Sequence, residues 1–167
     1  MEEVAQSVDI SRATLYNHFA SKEALVAHFI GVEFERGWPA LESRLQELPD
    51  VESQLFRMFG EFASWAQKRR AYLPLALKHS LSAHSAGGET PKRSKLGLAF
   101  ESILRQGQLR GEVSSEWPCD TLSRALEYQY LAATLQWLQS SVASPKEEFD
   151  QMLRLFLNGA RTGRVSE

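Results

Sequence analysis

Cysteine is nearly absent from this sequence, since Cys119 is the only one among 167 residues. A single cysteine cannot form an internal disulfide, which agrees with a reducing compartment. One cysteine and four scattered histidines also provide no spacing that is typical of metal ligands. We therefore expect no disulfide scaffold, no metal site and no cofactor.

Long apolar runs are absent as well. No stretch is long enough to cross a bilayer as a helix, and nothing in the sequence has the pattern of a signal peptide. The apolar fraction of 43% and the charged fraction of 24% are ordinary for a globular chain. The sequence thus predicts a cytoplasmic protein with one or two small domains and a sizeable core.

The common enzyme motifs are missing too. There is no glycine-rich phosphate-binding loop and no nucleophile motif, and the histidines fall at unrelated positions along predicted helices. Only an acid–base pair assembled by the fold itself would escape such a search. The sequence therefore predicts a protein that is not an enzyme.

Apolar residues recur at helical spacing over most of the chain, and no strand pattern, repeat or low-complexity tract accompanies them. The segment 37–39, which contains Pro39, should kink one helix rather than end it, because apolar spacing resumes at Leu41 and Leu45. Asp50 should cap the helix that follows the next turn. We predict an all-α fold with helices over 22–48, 51–70, 72–81, 90–107, 120–140 and 144–159, the fourth capped by Thr90 before Pro91 and the last ended by Gly159.

The stretch from Ser11 to Glu23 predicts a short helix, a tight break and the start of a longer helix. Ser11 is a natural N-cap. Leu15 and Phe19 lie four residues apart and so form one apolar face. The opposite face is small and polar, with Ala13, Thr14, Tyr16 and Asn17. A short helix with an apolar back and a hydrogen-bonding front suits insertion into a DNA major groove.

The residues before this stretch complete a helix-turn-helix pattern, with a helix over residues 2–8 and Asp9 in the turn. The pattern resembles the DNA-binding signature of the tetracycline-repressor-like (TetR) family. The resemblance rests on Val4-Ala5, Ser11, Thr14-Leu15-Tyr16, His18-Phe19 and Ser21-Lys22.

The resemblance implies two domains. Residues 1–29 would form a DNA-reading head, and residues 30–167 would form a ligand-sensing and dimerising body. Members of the family carry a further helix before the turn motif, usually with basic residues, and this sequence starts at the second helix. We therefore expect the head to lack its first helix. Three explanations stay open: a start assigned too far downstream, a shortened chain, or a naturally short protein.

The resemblance also implies which residues contact DNA. Tyr16, His18 and Lys22 match backbone-contacting positions, and Thr14 and Asn17 match base-facing ones. Arg12 adds a basic side chain to the same helix. Residues 1–30 nevertheless hold only two basic residues against four acidic ones, which is a poor balance for phosphate contacts. The plainer alternative is an ordinary helix hairpin with exposed polar residues.

The body is rich in aromatic residues that could line a cavity for a small molecule. A hydrophobic or aromatic effector is favoured because the candidate wall carries few charges, and its identity cannot be deduced from the sequence. The alternative for each side chain is plain core. The candidates are Phe59, Phe62, Trp65, Phe100, Tyr128 and Trp137, with His79 and Tyr128 as polar groups.

The last two predicted helices carry more apolar surface than one packing partner would cover, which suggests self-association. In the TetR family these helices pair across a two-fold axis, so the resemblance implies a homodimer. The candidate interface residues are Leu126, Tyr130, Ala133, Trp137, Phe149, Met152 and Phe156.

Together these features predict a regulator of transcription, most simply a repressor that releases a palindromic operator when a small molecule binds the body. The partners would be double-stranded DNA, an effector and a second copy of the chain, with no membrane. A different class stays open, namely a dimeric protein that binds small molecules or partners and no longer binds DNA.

Overall fold

The computed structural model describes residues 11–85, 93–140 and 144–160, and all regular secondary structure in these ranges is helical. None of the helices there is long and apolar enough to cross a membrane. The all-α fold class predicted from the sequence is confirmed. The helices are α1 Arg12–His18, α2 Lys22–Gln46, α3 Val51–Lys68, α4 Leu73–Ser85, α5 Lys95–Leu109, α6 Cys119–Gln139 and α7 Pro145–Ala160.

Short polar side chains fix where three of these helices begin. The oxygens of Ser11, Asp50 and Ser94 each accept a hydrogen bond from the backbone N–H three residues further on, at distances of 3.0, 2.7 and 2.8 Å. Each bond satisfies an N–H that the first helical turn leaves without a partner. The caps predicted at Ser11 and Asp50 are therefore confirmed.

Several helix ends differ from the predicted ones, and α4 continues to Ser85 where the sequence predicted an end at residue 81. The structure starts α5 at Lys95 with Ser94 as its cap, and the predicted cap at Thr90–Pro91 lies outside the described residues. Helix α7 continues past Gly159 to Ala160, whose carbonyl accepts the backbone N–H of Ser114 at 2.8 Å. Because this hydrogen bond satisfies a carbonyl of the last turn, the helix can continue past the glycine.

Helix α2 runs without a break from Lys22 to Gln46 and contains Pro39. A proline inside a helix removes one backbone hydrogen bond and crowds the preceding turn. Beyond it, Leu41 and Leu45 are buried in the hydrophobic core, and this burial favours continuation of the helix. The expectation that the proline does not end the helix is confirmed.

The contacts divide the chain into two compact units. The head unit comprises residues 1–37 with 71–91, and the body unit comprises residues 38–70 with 92–167. This grouping assigns α4 to the head unit, whereas the sequence suggested a head of residues 1–29. The functional division at residue 30 stays a prediction.

The body unit is built around α3. This helix packs against α5 and α7, and α6 packs against α5 and α7. Their inward faces form one hydrophobic core in which the largest fully buried side chains include Leu55, Met58, Phe59, Phe100, Leu104, Leu126, Phe149 and Leu153. The apolar stripes predicted for these four helices are therefore their packing faces.

Helices α3 and α5 come close together where α3 begins. A Cβ atom at Gly107 would lie 2.8 Å from a methyl group of Val113 and would also clash with Val51. The carboxylate of Glu112 accepts the backbone N–H of Val51 at 2.7 Å. Between Gly107 and Val113 the chain turns at Gly111, whose φ of +75° is a value that glycine adopts at little cost.

Gly107→Ala should destabilise the body unit by about 1–3 kcal/mol, because Val51 and Val113 are buried and their stiff methyl groups cannot move away. Urea unfolding followed by far-UV circular dichroism measures the change.

Gly60→Ala is the matched control, since no neighbouring atom lies within 4 Å of the added Cβ in the middle of α3. It should stabilise the chain by about 1 kcal/mol through helix propensity. Equal effects of the two alanines would contradict the close approach at Gly107.

Candidate functional site

Helix α1 is a short helix with one anchored side. Leu15 is 4% exposed, and Phe19 at the C-cap donates its backbone N–H to the Leu15 carbonyl at 2.9 Å. The ring of Phe19 lies 5.2 Å from that of His28 on α2. These contacts fix which face of α1 is turned inward, as the apolar spacing predicted.

The opposite face of α1 is exposed. Thr14, Asn17 and His18 are exposed, Tyr16 is 42% exposed, and Lys22 is exposed at the first position of α2. The side chain of Arg12 lies outside the described part of the structure. The remaining predicted DNA contacts are thus exposed along α1 and at the start of α2.

The structure adds one charged residue that the sequence analysis missed. Lys78 on α4 donates from Nζ to Oε1 of Glu23 in the first turn of α2, at 2.9 Å. This hydrogen bond, followed by one from the backbone of Glu23, lowers the pKa of the carboxyl below its ordinary value. Lys78 therefore offsets one of the four acidic charges counted in residues 1–30.

Only some of the aromatic residues predicted to line a cavity lie close together in the structure. Phe59 lies 5.6 Å from Phe62 and 5.5 Å from Phe100, measured between ring centroids. Tyr130 and Phe149, which the sequence analysis assigned to the dimer interface, complete the cluster at 5.4 and 6.1 Å from Phe59. These rings form a packed core, because Phe59, Phe100 and Phe149 are fully buried.

The other predicted effector residues lie elsewhere. Tyr128 is 54% exposed, and His79 is on α4 in the head unit. Trp65 stacks under the guanidinium of Arg69, whose Cζ lies 4.8 Å from the ring centroid. Trp137 is fully buried beside Arg70. The set predicted as one cavity wall therefore occupies several separate places.

A recess in the body unit has a volume of about 20 Å³, which is room for one water molecule. It is lined by Trp38, Glu42, Leu45, Gln46, Gln54, Ser102, Ile103 and Gln106. Within the described ranges, His, Cys, Asp and Glu side chains form no group of three that could hold a metal ion.

The predicted interface residues face inward. Six of the seven are buried within a single chain, and Tyr130 is partly buried in the aromatic cluster. A side chain that its own chain already covers cannot be covered again by a partner. The outer faces of the same helices are exposed instead, with Tyr128 on α6 and Leu155 on α7, the latter 68% exposed.

Comparison with known proteins supports this architecture. Residues 1–29 match the family of bacterial regulatory proteins called the tetR family. The chain resembles FadR of Thermus thermophilus, a TetR-family transcriptional repressor in complex with lauroyl-CoA, with a TM-score of 0.76. The two chains are 18% identical over 99% of this chain and 87% of that one.

Two further structures share the fold. KstR2 of Mycobacterium tuberculosis, a ketosteroid transcriptional regulator, is 16% identical over 97% of this chain and 84% of its own, with a TM-score of 0.64. FadR of Bacillus halodurans, a fatty acid degradation regulator, is 16% identical over 96% and 88%, with a TM-score of 0.62. No curated protein matches the sequence.

The exposed polar face of α1, followed by an all-helical body, has the fold of TetR-type transcriptional regulators. The first 29 residues also match the tetR family of bacterial regulatory proteins, so the start of the chain and the fold of the described helices are both similar to that family.

The packed state of the aromatic cluster can be tested through Tyr130. Burial raises the pKa of this phenol to about 12, although a hydrogen bond with Thr134 acts in the opposite direction. The neutral phenol is therefore favoured in the folded state. Its contribution to stability is present below pH 10 and is lost as the pH rises towards 12. Absorbance at 295 nm should show this late ionisation step.

Tyr130→Phe should remove the late step, whereas Tyr128→Phe on the exposed side of α6 should keep it. Far-UV circular dichroism across the same pH range verifies that the fold persists. A late step that survives in Tyr130→Phe would show that Tyr130 is not the buried phenol.

Proposed function

We propose that this chain is a ligand-responsive transcriptional repressor that binds a palindromic operator as a homodimer. The observation that supports the proposal best is the presentation of α1, which is anchored through Leu15 while Thr14, Tyr16 and Asn17 are exposed. Two copies related by a two-fold axis would present two such helices to the two halves of a palindrome.

The exposed residues suit different roles on DNA. The phenol of Tyr16, the imidazole of His18 and the ammonium of Lys22 can donate hydrogen bonds to phosphate oxygens. Thr14 and Asn17 carry the short polar groups that recognise base edges in the major groove. Lys78 adds a positive charge beside the start of α2, close to where Lys22 would meet the backbone.

For the effector we propose an amphipathic compound with a long apolar chain, such as a fatty acid or its coenzyme A thioester. The fold relative from Thermus thermophilus is in complex with lauroyl-CoA, and that from Bacillus halodurans regulates fatty acid degradation. The apolar chain would enter between Phe62 and Tyr130, which are the two incompletely buried rings of the cluster.

Because the rings of the cluster lie against one another, a ligand that enters between them has to separate rings that are now in contact. The ligand would therefore stabilise a conformation other than the present one. If only one of the two conformations matches the spacing of the operator half-sites, effector and DNA oppose each other's binding by the same factor.

We place the dimer contact on the outer faces of α6 and α7. Along α6, Ala125, Tyr128 and Ala132 are exposed and lie on one side of the helix, and Leu155 is exposed on α7. Small residues on either side of a tyrosine allow two helices to approach closely. This assignment keeps the helices predicted from the sequence but changes their residues.

Selection of bound duplexes from a random DNA pool tests the operator. The enriched sequences should contain an inverted repeat. Asn17→Ala should then change the preferred bases, whereas Lys22→Ala should weaken binding to all sequences and reduce the salt dependence by about one charge. Lys95→Ala, an exposed lysine of the body unit, serves as the control and should have no effect.

Enrichment without an inverted repeat, or no enrichment at all, would contradict the operator proposal. The alternative is then a dimeric ligand-binding protein that does not bind DNA, for which effector binding and dimerisation would persist.

The double variant Tyr128→Glu with Leu155→Glu should be monomeric and folded, since both side chains are exposed in one chain. Unpaired charges at the centre of an interface should weaken the dimer by more than about hundredfold. Sedimentation velocity at micromolar concentration measures this.

Gln129→Glu with Asn158→Glu adds the same charge to exposed neighbours and should leave the dimer intact. Leu126→Asp should instead lose helical signal, because its side chain lies in the core of the single chain. A folded monomer from Leu126→Asp would restore the interface predicted from the sequence.

A further inference from the structure

Trp137 near the end of α6 is fully buried, and its Nε1–H donates to no acceptor among the described residues. It is the one buried side-chain nitrogen or oxygen in that part of the chain without a partner. A buried donor without an acceptor costs about 1–3 kcal/mol, so native proteins nearly always give it one. A buried donor of this kind is available to an acceptor on a bound molecule.

The indole lies against a cation. The Cζ atom of Arg70 is 4.9 Å from the centroid of the Trp137 ring. Arg70 also donates from Nη2 to the carbonyls of Leu138 and Ser140, at 3.2 and 2.6 Å. These bonds fix the guanidinium at the end of α6, where its charge makes an anionic acceptor more favourable than a neutral one.

Further positive charge lies at the same end of α3. Lys68 and Arg69 immediately precede Arg70, and the guanidinium of Arg69 stacks on Trp65. In the described ranges, neither Lys68 nor Arg70 forms an ion pair with a carboxylate. The segment 68–70 thus carries three consecutive basic residues, and two of them lie against indole rings.

We propose that Trp137 Nε1, with Arg70 beside it, binds the anionic oxygen of an amphipathic effector. The inference rests on the proposed function and assigns the polar end of the ligand, which can be a fatty acid carboxylate or a phosphate of coenzyme A. Tyr130 lies two helical turns before Trp137 on the same face of α6, about 10 Å along the axis. The apolar chain therefore extends from the indole towards the partly buried edge of the aromatic cluster.

The indole proton reports directly on this contact. In the unmodified chain labelled with ¹⁵N, each of the four tryptophans gives one indole signal, and Trp137→Phe identifies that of Trp137. Sodium laurate and lauroyl-CoA should move this signal downfield, as expected when an N–H gains an acceptor. Dodecanol, which has the same chain without a charge, should move it much less.

Calorimetry gives the matching affinities. Trp137→Phe keeps a ring in the core but lacks the donor, and it should weaken the binding of laurate by about tenfold. Trp117→Phe makes the same exchange at an exposed ring and should leave the affinity unchanged. Arg70→Lys keeps the charge at the end of α6 and should weaken binding less than Arg70→Met.

The outcomes separate this inference from the function on which it rests. If laurate or lauroyl-CoA binds but the Trp137 signal does not move, or if dodecanol binds equally well, the polar end lies elsewhere and the inference is wrong. If neither compound binds to the unmodified chain, the proposed effector class fails, and this inference fails with it. Operator selection needs no effector, so it then tests the proposed DNA binding independently.

A response to laurate without one to lauroyl-CoA would identify the carboxylate as the bound anion, whereas the reverse would identify a phosphate. A Trp137 signal that is already at its downfield position in the free protein would mean that water or the chain supplies the acceptor. That result would also overturn the inference.

Discussion

Phe59 makes the contact on which the body unit depends. Its ring lies 5.5 Å from Phe100 on α5, 5.4 Å from Tyr130 on α6 and 6.1 Å from Phe149 on α7, so one side chain joins α3 to three other helices. Aromatic pairs at such distances stabilise through both buried area and ring orientation. A ligand that separates them has to supply that free energy from its own contacts. An effector with a long apolar chain can do so, because it replaces apolar contacts with contacts of the same kind.

The sequence predicted the helices well because the relevant information is local. Periodic apolar residues indicated α3 and α5 to α7, and Ser11 and Asp50 were recognised as caps from their position alone. Spacing alone does not assign the faces where both sides of a helix are apolar. On α6, Leu126 and Tyr128 are equally plausible from spacing, and only the position of α5 and α7 shows that Leu126 is the buried one.

The candidate site likewise contains features that the sequence predicts and features that only the fold shows. The exposed face of α1 could be predicted because its four polar residues lie within five positions of one another. The ion pair between Lys78 and Glu23 could not be predicted, because 55 residues separate the two partners and charged side chains usually face solvent. The sequence could not predict the unsatisfied indole of Trp137 either, because burial and the lack of an acceptor are properties of the fold.

Arg70 gives the two halves of the proposed effector site a physical connection. It follows α3 directly in sequence, yet it holds the final carbonyls of α6 and covers the ring of Trp137. An anion at the indole would compete with those carbonyls for the same guanidinium, since both are acceptors for its N–H groups. Binding at the polar end would therefore loosen Arg70 from α6 while the apolar chain separates rings around Phe59. Both effects act on α3, one at its end and one at its centre, which makes this helix the element whose position the effector would change.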